Sequence, residues 1–368
     1  MYQYFACMAY IAILGMIVRP SKGKRRRAVF LALSFVVLIA LASVRSYTVG
    51  MDTMMYWTHY GYIGRAGVRA FETVRFEPGF TALCLLLYQI SPSPQLLFFT
   101  TSVLIYVPVA YFIYRESDNP ALSTFLFVAL TIYTQYLCLM REGIAIALVL
   151  VATTFLTRGK KIPFILLIVL AMLFHRSAIA CLALLFADRL GFKGKHVAVY
   201  IALFAAMFVY ASAFSDFVAS LLSKDRLYRE KFMGSNYYGA LIRTLFYGLL
   251  VFLSVNYIEV GKRRGVIPDD ARVRVIEHAL MLWLLFSVLG MRIQIWGRVS
   301  CLFQPFVLIA IPLALKVPPP KERFLMTALI CLAAIAYFVI VGVFRPEWQG
   351  AIPYEVGFAG LQMLLGWP

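Results

Sequence analysis

The chain has 368 residues, of which 62% are apolar and only 14% are charged, and its formal net charge is +18. Soluble domains carry about 45–50% apolar and about 25% charged residues. The composition therefore excludes soluble enzymes, nucleic-acid-binding modules and disordered tails, despite the basic charge. We predict an all-α polytopic membrane protein in which residues 1–368 form a single integral membrane domain. About ten full transmembrane helices, together with re-entrant or half-helices, account for its apolar stretches.

The first two predicted helices enclose the clearest topology signal. Tyr2–Val18 lacks a basic leader and a cleavage site, so we expect it to remain as a membrane helix. Ala28–Val44 is the second helix, and the basic cluster Lys22–Arg27 between them indicates the cytoplasmic side. The chain then begins outside, and residues 45–78 form an outer loop.

Four apolar stretches lie between the outer loop and the basic residues at 158–161, which are predicted to be cytoplasmic. An even number of crossings cannot connect the outer loop to the basic residues at 158–161, so one stretch does not cross. Gly79–Ile90 reaches only about 18 Å as a helix, and we interpret it as a re-entrant or interfacial piece. The other three stretches are predicted spans: Gln95–Tyr114, Ala121–Leu139 and Gly143–Thr157.

The segment Ile162–Ala187 has basic residues on both sides, yet it is long enough for only one straight span. Two half-helices that meet at His175-Arg176-Ser177 resolve the conflict, and a single tilted helix is the alternative. A second outer loop is expected at 215–240, and the C-terminal tail is expected outside. The remaining predicted spans are Val197–Phe214, Leu241–Ile258, Ala279–Ile295, Val299–Leu315 and Phe324–Phe344.

Arginines on the predicted outer face suggest an anionic ligand. Arginine holds phosphate through two parallel hydrogen bonds, and an ionisable residue at membrane depth indicates function by default. A diphosphate group carried by a lipid would fit such a face. For Arg141, Arg292 and Arg298 the alternative is pairing with Glu142 or with a carbonyl. The predicted diphosphate-binding residues are Arg45, Arg141, Arg176, Arg292 and Arg298.

Two residues compete for the role of a catalytic base. His175 lies at the predicted half-helix break, where it could take a proton, bind diphosphate or serve as a hydrogen-bonded core residue. Asp52 precedes a predicted helix at Thr53, so it either caps that helix or acts as the base. The sequence has no Asp-x-Asp pair and no Gly-rich phosphate loop, so we expect no metal, no cofactor and no ATP requirement.

Five short motifs, in order along the chain, resemble those of the EpsG family, which is related to Wzy-type exopolysaccharide and O-antigen polymerases. One departure is Glu142, where the family usually has Gln, and it puts an amide contact to substrate in doubt. The motifs are Arg45…Val49-Gly50-x-Asp52-Thr53-x-x-Tyr56, Arg141-Glu142-Gly143-Ile144-Ala145, Phe174-His175-Arg176-Ser177-Ala178, Arg298-Val299-Ser300 and Ile352-Pro353-Tyr354.

The resemblance implies a GT-C-like membrane glycosyltransferase in the bacterial inner (cytoplasmic) membrane. It would polymerise undecaprenyl-diphosphate-linked oligosaccharides on the outer face, with these lipids as donor and acceptor and no nucleic acid as partner. A chain-length regulator is a further partner that the residues neither require nor exclude. The residues expected to contact sugar are Thr53, Tyr56, Glu142, Tyr237, Tyr238 and Tyr354. For the two tyrosines at 237–238, an interfacial aromatic belt is an equal alternative.

Two other classes remain as alternatives. A flippase for the same lipid-linked oligosaccharide would show internal repeats and charges on both halves of a central cavity, and neither is evident here. The second is a related outer-face transferase, such as a ligase to lipid A or an O-acetyltransferase; a ligase differs from a polymerase in its acceptor.

Overall fold

The computed structural model describes residues 1–187 and 237–358, together with positions 202, 205, 206, 209, 210 and 362. The chain divides into two compact units. The first comprises Met1–Thr154, Ile162–Ile179 and Pro320–Pro368, and the second comprises Phe155–Lys161 and Ala180–Pro319. The predicted span Val197–Phe214 and most of the predicted outer loop 215–240 lie outside the described residues.

Helices form almost all of the regular structure in the described ranges. Short 3-10 helices occur at Pro20–Lys22, Gly67–Arg69, Arg176–Phe186, Gln304–Phe306 and Pro346–Trp348. In chain order the α-helices are α1 (Tyr2–Val18), α2 (Lys24–Ser43), α3 (Thr53–Ala66), α4 (Ala70–Thr73), α5 (Pro78–Ile90), α6 (Pro94–Glu116), α7 (Pro120–Ala129), α8 (Ile132–Cys138), α9 (Met140–Leu156), α10 (Lys161–Met172), α11 (Tyr237–Arg263), α12 (Ala271–Arg292), α13 (Gln294–Cys301), α14 (Val307–Ala314) and α15 (Pro320–Phe344).

The prediction of an all-helical, multi-pass membrane protein is confirmed. Within the described ranges, six helices are long and apolar enough to cross a membrane, and two bent pairs raise the number to eight. The bent pairs are α7 with α8, at 53°, and α13 with the segment Gln304–Ala314, at 43°. The predicted count of about ten and the GT-C-like fold are not confirmed.

Two predicted spans are broken helices. Ala121–Leu139 is interrupted at Thr131, whose φ of 60° places it in the left-handed region. Thr131 O accepts hydrogen bonds from Thr134 Oγ1 at 3.0 Å and from Gln349 Nε2 at 3.2 Å, so a distant side chain supports the break. Val299–Leu315 is interrupted after Cys301, before the 3-10 turn Gln304–Phe306. Pro305 marks the second break, because proline is the strongest helix breaker. Helix propensity does not reveal the first break, which has neither glycine nor proline at the bend.

Short helices occur at both places where the predicted topology requires a segment that does not cross directly. Helix α5 has 13 residues and spans about 20 Å, too short for hydrocarbon. Helix α10 ends at Met172, and a 3-10 helix begins at Arg176, which is the predicted break at His175. The return of the second half to the starting side of the membrane stays a prediction.

The start of the outer loop pairs with a segment near the C-terminus within the first unit. Arg45 and Val356 form an antiparallel bridge, Ser46 N donates to Glu355 O at 2.9 Å, and Met51 N donates to Gln349 O at 2.9 Å. These two segments therefore lie on the same side of the membrane. The predicted topology, with both segments outside, requires this arrangement.

The second unit is held by a close helix contact and a buried ion pair. A Cβ atom on Gly290 would lie 2.7 Å from Gly297 Cα, so α12 and α13 approach closely at these glycines. Lys262 Nζ donates to Glu277 Oε2 at 2.6 Å and to Glu259 Oε1 at 2.9 Å. Since Glu277 is 1% exposed, this ion pair neutralises a carboxylate that could not otherwise be buried as an anion.

Candidate active site

Three separate elements of the first unit bring charged side chains together. Arg141, in the first turn of α9, donates a hydrogen bond to Glu77, which directly precedes α5. His175, in the turn after α10, places Nδ1 3.4 Å from Glu77 Oε1 and Nε2 3.9 Å from Glu142 Oε2. We call Glu77, Arg141, Glu142 and His175 the charged cluster.

Local sequence fixes Glu77 beside His175. Pro78 takes the first position of α5, where its missing N–H costs no hydrogen bond, so the helix begins directly after Glu77. Gly79 N then donates to Leu173 O at 2.8 Å, which ties this helix to the turn before His175. A Cβ on Gly79 would lie 2.7 Å from the same oxygen, so the contact requires glycine.

Aromatic residues hold the Arg141 guanidinium from the other side. Its Cζ lies 4.6 Å from the Phe76 ring centroid, a cation–π distance. Its Nε donates to Tyr56 Oη at 3.4 Å, and Tyr56 is 2% exposed. Since NH1 contacts Glu77, the NH2 group is left without a hydrogen bond to the described residues. This group could donate to a ligand oxygen.

The electrostatic balance of the cluster keeps Glu77 ionised. Burial by itself raises the pKa of a carboxyl group, but the neighbouring His175 and Arg141 outweigh it and lower the pKa of Glu77 to about 2. Glu77 is therefore an anion at neutral pH. It can fix the orientation of the imidazole and stabilise the positive charge that develops when His175 takes a proton.

Glu142 is buried in the cluster, and its carboxylate has no hydrogen-bond donor among the described residues. The side chain is 3% exposed, and neither oxygen accepts a hydrogen bond from the described residues. His175 Nε2 lies 3.9 Å from Glu142 Oε2, which is too long for a hydrogen bond. A buried carboxylate without a donor is costly. A ligand hydroxyl between Glu142 and His175 could contact both groups.

Arg45 and Thr53 are buried and bonded to backbone carbonyls. Arg45 is 1% exposed; NH1 donates to Ala42 O, and NH2 donates to Leu137 O at 3.3 Å. Thr53 Oγ1 donates to Val49 O at 2.7 Å and lies 3.4 Å from Leu137 O. Both residues therefore hold the outer loop against Leu137, four positions before Arg141. This placement gives them a positioning role.

Three further predicted residues of the first unit lie outside the charged cluster. Asp52 occupies the N-cap position of α3, but its side chain caps no backbone N–H. Arg176, exposed, begins the 3-10 helix directly after His175. Tyr354 is 8% exposed and donates to Leu41 O at 2.6 Å, so its hydroxyl is engaged in the fold.

Four predicted site residues belong to the second unit. Arg292 is exposed at the end of α12, and Arg298 is half-buried in α13. Tyr237 and Tyr238 begin α11, and their side chains lie outside the described part of the structure. The binding roles of these four residues stay predictions from the sequence.

Sequence reasoning missed Glu77, the residue that joins Arg141 to His175. One signal was present: Glu77 is the last acidic residue before the apolar helix that does not cross, and Pro78 marks the start of that helix. An ionisable side chain at the boundary of an apolar stretch indicates function, which is the criterion that selected the arginines.

Comparison with known proteins gives one match. A family model described as EpsG family matches residues 1–356, nearly the whole chain. No curated protein and no solved structure matches this chain.

Proposed function

The chain belongs to the EpsG family, and we propose that it is a membrane glycosyltransferase of the exopolysaccharide-polymerase type. In this proposal it transfers an oligosaccharide from one undecaprenyl diphosphate to the terminal sugar of another lipid-linked unit. The reaction takes place on the outer face of the bacterial cytoplasmic membrane, without a metal ion. The observation that carries the chemical part of the proposal is the position of His175 between two carboxylates, with an arginine attached to one of them.

His175 serves as the base in the proposed reaction. Glu77 Oε1 lies 3.4 Å from Nδ1; a small approach would let it accept from Nδ1–H and orient the ring, as the carboxylate does in a catalytic triad, so that Nε2 is free to take a proton. Nε2 removes the proton from the acceptor hydroxyl as its oxygen attacks the anomeric carbon of the donor sugar. The bond from that carbon to the diphosphate oxygen breaks, and the lipid diphosphate leaves with the bonding electrons.

The unpartnered carboxylate of Glu142 supports binding of the acceptor. The 3.9 Å between Glu142 Oε2 and His175 Nε2 leaves room for one hydroxyl that contacts both. Tyr56 borders the cluster through Arg141 and would contact the sugar ring. Asp52 remains the competing base, because its carboxylate lies one residue before α3 and caps nothing.

Arginines stabilise the leaving diphosphate in this proposal. Arg141 contributes through its NH2 group, and Arg176 adds an exposed guanidinium next to the proposed base. For Arg292 and Arg298, diphosphate binding stays a prediction from the sequence. Preorganised cations in a site of low dielectric lower the barrier most where negative charge gathers in the transition state. Arg45 acts indirectly, through its hydrogen bond to Leu137.

The test is incubation of the purified protein with a lipid-diphosphate oligosaccharide, without metal or nucleotide, followed by gel separation of the products. A ladder with regular spacing supports a polymerase. Transfer to a different acceptor, with no ladder, would identify a ligase instead. Movement of the lipid across vesicles without any sugar transfer would overturn the proposal and indicate a flippase.

Three variants assign the base. His175→Gln should slow the reaction by roughly 10²–10⁴-fold, the usual contribution of general base catalysis. His59→Gln is the matched control, because His59 lies in α3 outside the charged cluster and its Nδ1 is 2.8 Å from Met55 O of the same helix. If Asp52→Asn abolished the ladder while His175→Gln kept it, Asp52 would be the base.

A further inference from the structure

A cavity lies in the first unit, at the turn between α1 and α2. Its volume is about 340 Å³, within the range of ligand pockets. The turn joins two helices that are both candidate membrane spans, so it lies at a membrane surface. The predicted topology makes this the cytoplasmic surface, opposite to the predicted position of the charged cluster.

The lining of this cavity is apolar along α1 and cationic at the turn. Ala12 and Met16 are lining residues on one face of α1, four residues apart. Arg19 and Lys22 line the part at the turn. Ala12 and Arg19 are separated by about 10 Å along the helix direction. The cavity therefore offers apolar contact towards the membrane and positive charge at its surface.

The cationic side chains of the lining are available to a ligand. Neither Arg19 nor Lys22 forms a side-chain hydrogen bond or an ion pair with the described residues. Asn119 also lines the cavity; its Oδ1 accepts from Leu122 N, which leaves its amide nitrogen as a donor. Arg19 has a φ of 53°. Such a conformation costs free energy in a residue other than glycine, and strain of this kind is frequent at binding sites.

We propose that this cavity binds the phosphate headgroup of an anionic phospholipid, with Arg19 and Lys22 on the phosphate and one acyl chain along Ala12 and Met16. A free phosphate ion would use the cations but leave the apolar part of the lining without a partner. The consecutive basic residues Lys24–Arg27 raise the local positive potential and attract the anionic leaflet. A basic pocket between membrane helices on the cytoplasmic side suits such headgroups.

Native mass spectrometry of the full-length, detergent-solubilised protein tests the proposal. Phosphatidylglycerol is the probe, phosphatidylcholine is the neutral comparison, and inorganic phosphate is the soluble anion. We expect one phosphatidylglycerol to be retained in preference to phosphatidylcholine. The double variant Arg19→Gln/Lys22→Gln should weaken its binding by roughly 100-fold, since each hydrogen bond from a charged side chain to the phosphate contributes roughly tenfold.

Two further variants separate a built site from general attraction. Arg25→Gln/Arg26→Gln removes the same charge from residues outside the cavity lining and should weaken binding much less. Ala12→Phe fills the apolar part without changing charge and should also displace the lipid. Equal effects of the two double variants would overturn the proposal. So would full competition by inorganic phosphate together with unchanged binding to Ala12→Phe, because the site would then hold only a soluble anion.

Discussion

Replacement of Glu77 by glutamine tests the central contact of the charged cluster. The change keeps the shape of the side chain but removes its charge, which faces Arg141 on one oxygen and His175 on the other. Its neighbours lower the pKa of Glu77 from 4.5 to about 2. Each tenfold change in the acid dissociation constant, which is one pKa unit, corresponds to about 1.4 kcal/mol. The contacts therefore stabilise the ionised side chain by about 3 kcal/mol.

The burial of the Glu77–Arg141 pair gives a similar value for the stability lost on replacing Glu77. Glu77 is 11% exposed and Arg141 is 18% exposed, so the pair is largely buried. Removal of one member of a buried ion pair costs about 3–5 kcal/mol, because the other charge is left uncompensated. We therefore expect Glu77→Gln to lower the free energy of unfolding by about 3 kcal/mol, measured as a lower thermal midpoint in detergent.

The same variant should impair catalysis beyond its effect on folding. Without the carboxylate, nothing in the cluster holds the His175 ring through Nδ1 or stabilises the imidazolium that forms during proton transfer. Loss of the orienting carboxylate in a catalytic triad costs about 10⁴-fold. The contact here is longer, at 3.4 Å, and we expect a fall of roughly 10²-fold or more in the initial rate of polymer formation.

The assay is the rate of ladder formation by folded protein at a temperature well below the midpoint of the variant. Glu72→Gln is the matched control: it removes an acidic residue from the same outer region, but Glu72 is exposed. A Glu77→Gln protein that is folded and polymerises at the wild-type rate would refute the proposed role of the Glu77–His175 contact. A loss equal to that of Glu72→Gln would refute it as well.

Four further predictions follow from particular contacts. Because the pKa of Glu77 is lowered by folding, its stabilisation is present above about pH 4.5 and is lost as pH falls towards 2; the difference in thermal midpoint between wild type and Glu77→Gln should shrink by half or more at pH 3. Gln349→Ala should cost about 1–3 kcal/mol in unfolding experiments, since Gln349 bonds to Thr131 O and Thr134 Oγ1 at the helix break, whereas exposed Glu347→Ala should cost little. Gly50→Ala should lower the thermal midpoint more than Gly67→Ala, because both glycines have positive φ but only at Gly50 would a Cβ meet Thr53 Oγ1 and Leu137 O. A cysteine at Ser177 should react with an outside reagent while one at Gly159 does not; the reverse pattern would contradict the re-entrant hairpin.

The positions of the long membrane helices were predictable from the sequence, because a single physical requirement determines their length and composition. A membrane helix must bury its backbone and present apolar side chains over a fixed thickness. The bounds of α1 agree with the prediction at both ends, and α6 differs from Gln95–Tyr114 by one or two residues at each end. The break at His175 was predictable for a related reason. Charge on both sides of one apolar stretch conflicts with a single crossing.

The break at Thr131 was not predictable from its own neighbourhood. Threonine is not favoured in the left-handed region, and the apolar stretch around it is long enough for a straight span. Its support comes from Gln349, which is far away in sequence and bonds to Thr131 O. A tertiary contact of this kind leaves no local pattern. Position 79 also requires glycine because of a tertiary contact, since a Cβ there would meet the carbonyl oxygen of Leu173.

The difference between Arg45 and Arg141 shows why the site was only partly predictable. Both arginines stand at the boundary of an apolar stretch, and both belong to motifs that resemble the family's. In the fold, both terminal nitrogens of Arg45, which is 1% exposed, donate to backbone carbonyls, whereas Arg141 contacts Glu77 and its NH2 group has no hydrogen bond to the described residues. A buried arginine whose two terminal nitrogens both donate to backbone carbonyls can orient a loop but does not present its guanidinium to a diphosphate. The partner of each side chain, not its residue type or its place in the motif, therefore separates the structural arginine from the one suited to the reaction.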